Sequence, residues 1–172
     1  MLEIAAVPGL RPSSERIRET LFNWLEPRIA GARCLDLFAG TGALGLEALS
    51  RGAARAVFVE NSQTALAALQ RNVASLDASA AEIEATNAIS YLRTAQAESF
   101  DLVFLDPPFA DDNLDELCRL IDERGLLARG ANLYLEQDRA KAEPSLPDGW
   151  SVLKNKTAGN VRYMLVAPGS KP

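Results

Sequence analysis

The chain repeats one pattern: an apolar run of strand length stops at a carboxylate, glycine or proline, and a stretch with helical spacing follows. Residues 33–38 lead into Ala39-Gly40-Thr41-Gly42 and a helix over about 43–51, and residues 55–60 end in Glu60 before an alanine- and leucine-rich helix over 62–76. A short strand near 81–86 runs into Asn87-Ala88 and a helix to about 95. A fourth strand begins at Phe100 and stops at Asp106, a helix covers about 113–124, and a fifth strand covers 131–136. Residues 150–156 and 161–167, separated by Thr157 to Asn160, have the spacing of an antiparallel hairpin. Four or five strand–helix units predict an α/β fold with a doubly wound, mainly parallel sheet, because each helical crossover returns the chain to the same strand direction. The hairpin adds an antiparallel edge.

Ahead of these units, residues 1–12 contain two prolines and a glycine and read as an extended arm. A helix is expected from Ser13, capped by Ser13 or Ser14, with Ile17, Leu21, Phe22, Trp24 and Leu25 at helical spacing until Pro27. Trp24 is read as core. No boundary, repeat or low-complexity tract divides the chain, so residues 1–172 are expected to form one domain.

Composition excludes several classes. There is no histidine, which rules out a Ser-His-Asp or Cys-His arrangement, and the two cysteines are not spaced as a metal pair, so neither a catalytic triad nor a zinc site is expected. Cys34 and Cys118 are predicted to be unpaired, buried thiols. No apolar run approaches the ~20 residues that span a bilayer, and the N-terminus lacks a basic stretch followed by an apolar one, so a cytoplasmic protein is expected, away from membranes. A net charge of -5 argues against indiscriminate nucleic-acid binding, which depends on Lys and Arg neutralising phosphates. Local basic faces are still available, with Arg11, Arg16, Arg18 and Arg28 early and Lys154, Lys156 and Arg162 late. No exposed apolar stripe is evident, and a monomer is expected.

Two motifs carry chemistry. The first, from Asp36 through Gly40 and Gly42 to Gly45, satisfies G-x-G-x-x-G between a strand and a helix, with Glu60 at the end of the next strand placed to accept both ribose hydroxyls of a nucleoside. Asp36 chooses between cofactors: a carboxylate at the tip of the first strand repels a pyrophosphate but suits the sulfonium and ammonium of S-adenosylmethionine (SAM). The expected SAM contacts are Asp36, Phe38, Ala39, Gly40 and Gly42 at the turn, Glu60 and Asn61 after the second strand, and Asn87 and Ala88 at the adenine edge. Asn87 could equally cap the helix that follows.

The second motif is Asp106-Pro107-Pro108-Phe109. The prolines cannot continue a ladder, so the strand must stop and hold a stiff bend. Asp106 and the Pro107 carbonyl can accept both hydrogens of a planar amine, and the Phe109 ring can stack on its base. Two acceptors aimed at those hydrogens favour a pyramidal nitrogen whose lone pair can attack a methyl group held in line. Asp106, Pro107 and Phe109 are therefore the catalytic candidates. Alone, the four residues could also be a strand-ending turn with a packed phenylalanine.

Taken together, these residues resemble the class I SAM-dependent amino methyltransferases. More narrowly, the segment Gly9 to Trp24 and the segment Cys34 to Arg51 are similar to the RsmD-type 16S rRNA guanine-N2 methyltransferases. The similarity runs from about Pro8 to Val166. It implies a seven-stranded Rossmann-like sheet, small-subunit ribosomal RNA as partner, and a first helix whose Arg16 and Phe22-Asn23 flank the methionine end of SAM. Family members usually carry a basic, glycine-containing stretch before the Gly-Leu-Arg-Pro segment; here Met1 to Val7 has no positive charge, so a shortened RNA-binding arm is expected. Other readings are the same chemistry on adenine N6 or on a protein glutamine, a non-catalytic SAM-binding RNA scaffold, and an NAD-dependent oxidoreductase.

Overall fold

The structure, a computed structural model, describes residues 12–76, 78–97, 99–108, 110–111 and 113–169. Seven strands form one sheet: β1 (Arg33–Asp36), β2 (Arg55–Val59), β3 (Ala81–Glu84), β4 (Phe100–Leu105), β5 (Leu127–Asp138), β6 (Ser151–Ala158) and β7 (Val161–Ala167). Their order is β3-β2-β1-β4-β5-β7-β6. The five strands from β3 to β5 are parallel, and β7 runs antiparallel between β5 and β6. The chain steps outward from β1 to β3, then crosses back to β4 on the other side of β1. That reversal opens a crevice above the carboxyl ends of β1 and β4, the place where open α/β sheets bind ligands.

Helices cover both faces. α1 (Pro12–Ile29), α2 (Ala43–Ser50) and α3 (Gln63–Ser75) pack over one side, where Leu21, Leu25, Leu46 and Leu69 meet Phe58, Phe104 and Tyr134. α4 (Ala88–Thr94) and α5 (Leu114–Glu123) cover the other, where Leu92, Leu117 and Ile121 meet Leu35, Val103 and Leu133. With apolar side chains on both faces, the central strands read as continuous apolar runs. Cys34 and Cys118 are buried and unpaired as expected, and burial pushes each thiol up to about 12. The outermost strand β6 is exposed along Ser151 to Thr157.

Element boundaries depart from expectation in several places. α1 begins at Pro12, ahead of the serines expected to cap it, because proline at a first helical position surrenders no needed N–H. It also continues through Pro27 to Ile29, since the missing hydrogen bond falls in the last turn, where burial of Ile29 and a bond from Arg28 Nη1 to the Trp24 carbonyl (3.1 Å) offset it. β1 stops at Asp36, two residues early, as the chain turns into the glycine segment. β5 is longer than 131–136: it begins at Leu127, and its register slips between Phe100 and Leu102, where two steps along β4 face the five from Leu127 to Asn132. Most of the expected arm, residues 1–11, lies outside the described residues.

Candidate active site

The glycine turn is built by contacts from both sides. Gly42 takes φ 94° at the start of α2, a left-handed conformation that side chains disfavour, and a Cβ there would lie 2.6 Å from Leu69 Cδ1. A Cβ on Gly45 would run into the Phe58 ring of β2, so that glycine lets α2 sit directly on the sheet. Glu60 closes the turn: Oε1 accepts the Gly40 N–H at 2.8 Å, while Oε2 accepts those of Asn61 (3.0 Å) and Ser62 (2.9 Å). From α3, Asn72 Nδ2 donates to the Thr41 carbonyl at 2.9 Å. A carboxylate has about four lone-pair sites, so Glu60 retains acceptor capacity for a ribose hydroxyl.

Three acids meet at the carboxyl ends of neighbouring strands. Asp36 ends β1, 2% exposed, with Oδ2 accepting the Gly45 N–H at 3.2 Å. Burial pushes its carboxyl from the ordinary 3.8 up to about 7, the Glu60 charge adds to the rise, and the Gly45 and Phe38 N–H groups oppose it. Asp106 follows β4 and lies beside Glu136 of β5. Burial, then Glu136, then Asp36, raise Asp106 well above the usual carboxylate range. Burial also raises Glu136, against the Tyr134 hydroxyl, which donates to Oε2 at 3.0 Å, and against Asp106. Glu136 and Tyr134 were missed in the sequence reading. The available signal was the one used for Glu60 and Asp106, an acid that ends an apolar strand.

A cleft of about 620 Å³ opens over these strand ends. Of the expected residues it is lined by Phe38, Gly40, Glu60, Asn61, Asn87, Ala88, Asp106 and Pro107. Asp36, Ala39 and Gly42 lie buried in the turn beside it rather than on its wall. Arg16 and Asn23 are exposed on α1 and are not among the lining residues. Phe22 is fully buried, its ring 6.2 Å from that of Phe104, and Trp24 stacks on Tyr163 at 5.3 Å, in keeping with its reading as core. Phe109 lies outside the described residues. The Asn87 side chain caps α4, Oδ1 accepting the Ser90 N–H at 2.8 Å, which makes the Ala88 N–H the available backbone donor at that wall. The Pro108 carbonyl accepts the Asp111 N–H at 2.9 Å and closes the bend, so the two prolines do not offer two open carbonyls. Asn113 also lines the cleft and holds a buried Oδ1 that has no partner among the described residues.

These residues fit SAM better than a dinucleotide. The Gly45 N–H, in the first turn of α2 where a pyrophosphate would seek donors, is already given to the Asp36 carboxylate. A buried acid at that position asks for a cation. Glu60, Ala88 and Asp106 all line the same cleft.

The family model described as conserved hypothetical protein 95 matches residues 1–167. Ribosomal RNA small subunit methyltransferase D of Escherichia coli strain K12 is 44% identical over 164 residues, covering 95% of this chain and 82% of the relative. The relative of the same name in Haemophilus influenzae is 41% identical over 160 residues, covering 91% of this chain and 82% of its own. Among solved structures, yhhF of E. coli, described as a candidate methyltransferase, matches with a TM-score of 0.86 at 42% identity, covering 94% of this chain and 90% of that one. The seven-stranded methyltransferase architecture, the glycine turn and this level of identity agree: the chain belongs to the conserved hypothetical protein 95 family, that of the RsmD-type methyltransferases.

Proposed function

We propose that this protein transfers a methyl group from SAM to the exocyclic N2 amine of a guanine in 16S rRNA, working in the cytoplasm as a single-domain monomer on the small ribosomal subunit. The relatives' names supply the RNA. The choice of acceptor atom rests on the cleft, where the hydrogen-bond acceptors Asp106 and the Pro107 carbonyl gather after β4 beside the glycine turn.

SAM, when bound, supplies a methyl group already activated on a sulfonium, so the protein needs no metal, nucleophile or histidine. Asp36 balances the positive end of the donor, and Glu60 holds its ribose. Asp106 and the Pro107 carbonyl each accept a hydrogen of the amine and turn its lone pair toward the methyl carbon, a gain of alignment. The buried Oδ1 of Asn113, which lines the same cleft, accepts a third hydrogen. Guanine presents three such hydrogens side by side, two on N2 and one on N1, whereas adenine presents two on N6 beside an acceptor nitrogen. The set of acceptors therefore favours guanine over adenine. Phe109 stacks on the extruded base, offsetting part of the unstacking cost of a few kcal/mol.

The test is methyl transfer from labelled SAM to small subunits isolated from cells lacking this protein, followed by nucleoside analysis. Label in N2-methylguanosine of 16S rRNA is expected. Label in N6-methyladenosine or in protein glutamine would replace the acceptor, and SAM binding with no transfer to any of these would favour the scaffold reading.

A further inference from the structure

Leu105 of β4 pairs with Leu135 of β5, so the residues that follow, Asp106 and Glu136, stand side by side at the carboxyl edge, and the charge of Glu136 raises Asp106. Ionised carboxylates offer acceptors alone, so neighbouring carboxyls can bond to each other only through a proton. Tyr134, on the same face of β5 two residues earlier, donates to Glu136 Oε2 and fixes that side chain as an acceptor. Two acids this close at one buried edge favour a single proton between them over two charges. Nothing in the proposed chemistry at the amine needs Glu136 or Tyr134, yet both are built against the residue that does the work.

We propose that Glu136 is a positioning residue for methyl transfer: it holds Asp106 through a shared proton and takes that proton over when Asp106 removes one from the methylated amine. This rests on the amine-methyltransferase reading above. Before transfer the pair holds one proton and one negative charge. Transfer forms the N–CH3 bond and breaks the S–CH3 bond of the donor, which leaves as a neutral thioether. The nitrogen, now cationic, gives a proton to Asp106, and the proton formerly shared moves wholly to Glu136. Both carboxyls are then neutral, and the amine product is neutral. Glu136, which is partly exposed, releases its proton to solvent and restores the pair.

The groups around the pair suit this exchange. Asp36 on β1 adds negative charge that raises the proton affinity of Asp106. Tyr134 and Tyr163 lie on β5 and β7, Tyr163 in register with Glu136. Lys141 lines a small pocket of about 10 Å³ with Glu136 and donates to the Asp111 carbonyl at 2.8 Å. The buried residues of α1 over this region, Ile17, Leu21, Phe22 and Leu25, are apolar. A pair of acids poised to hold one proton and accept a second buffers the site across one catalytic cycle.

The test uses the full chain and the variants Glu136→Gln, Glu136→Asp and Tyr134→Phe. Carbon NMR of labelled aspartate and glutamate carboxyls, followed against pH in the free protein, should show two coupled steps for the wild-type pair and a single, lower step for Asp106 in Glu136→Gln. Single-turnover methylation of small subunits should fall about 100-fold in Glu136→Gln, with SAM affinity and the subunit KM within threefold of wild type. The acidic limb of its rate profile should shift to follow the single Asp106 titration, and Glu136→Asp should recover at least a tenth of the rate. An unchanged Asp106 titration in Glu136→Gln would overturn the shared proton. A fall in rate with an unmoved acidic limb would reduce Glu136 to a structural part. A wild-type protein that methylates no subunit would sink the methyltransferase reading instead, and the carboxyl titration would still decide the pairing.

Discussion

Glu60 Oε1 accepts the backbone N–H of Gly40 at 2.8 Å, so the acid that ends β2 clamps the turn that follows β1. One carboxylate thus shapes the glycine turn and faces the cleft it borders. Replacing it with Gln would set an amide donor against backbone donors. Hydrogen bonds to a charged group contribute about 1.5–3 kcal/mol, and Glu60→Gln should weaken SAM binding about 10- to 100-fold. Calorimetry on the two proteins would show it; equal affinity would remove Glu60 from the cofactor site.

Gly45→Ala tests the packing of α2 on β2. The added methyl meets the Phe58 ring in a close-packed interior, where overpacking costs about 1–3 kcal/mol. Gly40→Ala has open space around its Cβ and only its φ of 56° to strain, about 1–2 kcal/mol. Urea titration should place Gly45→Ala at the lower midpoint, and Phe58→Leu should return part of the loss in Gly45→Ala alone.

The Asp36 carboxyl sets a pH dependence. Its folded proton affinity exceeds its unfolded one, so between about 4 and 7 the folded protein holds the extra proton. Stability is then full below the unfolded value and falls as pH rises through about 7. Asp36→Asn should flatten that slope and raise stability at pH 8 by up to about 4 kcal/mol, while abolishing SAM binding. Asp106 and Glu136, both raised, contribute in the same direction, so some slope should survive. Denaturant midpoints at pH 4.5 and pH 8 would settle the matter; a variant less stable at pH 8 would contradict it.

On the proposed roles, in which Asp106 meets the acceptor and not the donor, Asp106→Ala should end methyl transfer while SAM affinity holds. Phe109→Ala should lower transfer much more than SAM affinity, since base stacking is worth about 1–3 kcal/mol. Equal losses in both quantities would place either residue at the cofactor instead.

Asn113→Leu removes the buried acceptor assigned to guanine N1–H. An unmet acceptor on the protein costs little to delete, whereas a donor on the substrate left without a partner costs about 1–3 kcal/mol. Small-subunit methylation should lose about tenfold or more in kcat/KM, with thermal stability unchanged or raised. Unaltered kcat/KM would free Asn113 from any part in base recognition.

Much of the fold and half of the site could be read residue by residue. Asp36, Gly40, Gly42 and Gly45 lie within ten positions, so their geometry follows from local stereochemistry: a strand, a left-handed turn, a helix start. The prolines after Asp106 end β4 where expected because they have no N–H to give. Asn87 had two local readings, and the Ser90 N–H decided for the cap. Pro27 misled because the burial of Ile29 outweighed one lost hydrogen bond in a last turn. The start of β5 misled because only the neighbouring strand, through a slip in register, extends it back to Leu127.

The sequence by itself determined the alternation of strands and helices, the glycine turn and the abrupt stop after Asp106, since periodicity and the stereochemistry of glycine and proline act over a few residues. The tertiary structure decided which strand ends are neighbours. β1 lies beside β4 and β4 beside β5, an order that brings Asp36, Asp106 and Glu136 together across seventy and thirty residues of chain. A carboxylate at a strand end has the same local signature whichever strand lies next to it. Its proton affinity depends on burial and on the acid opposite, and those exist only once the sheet has closed.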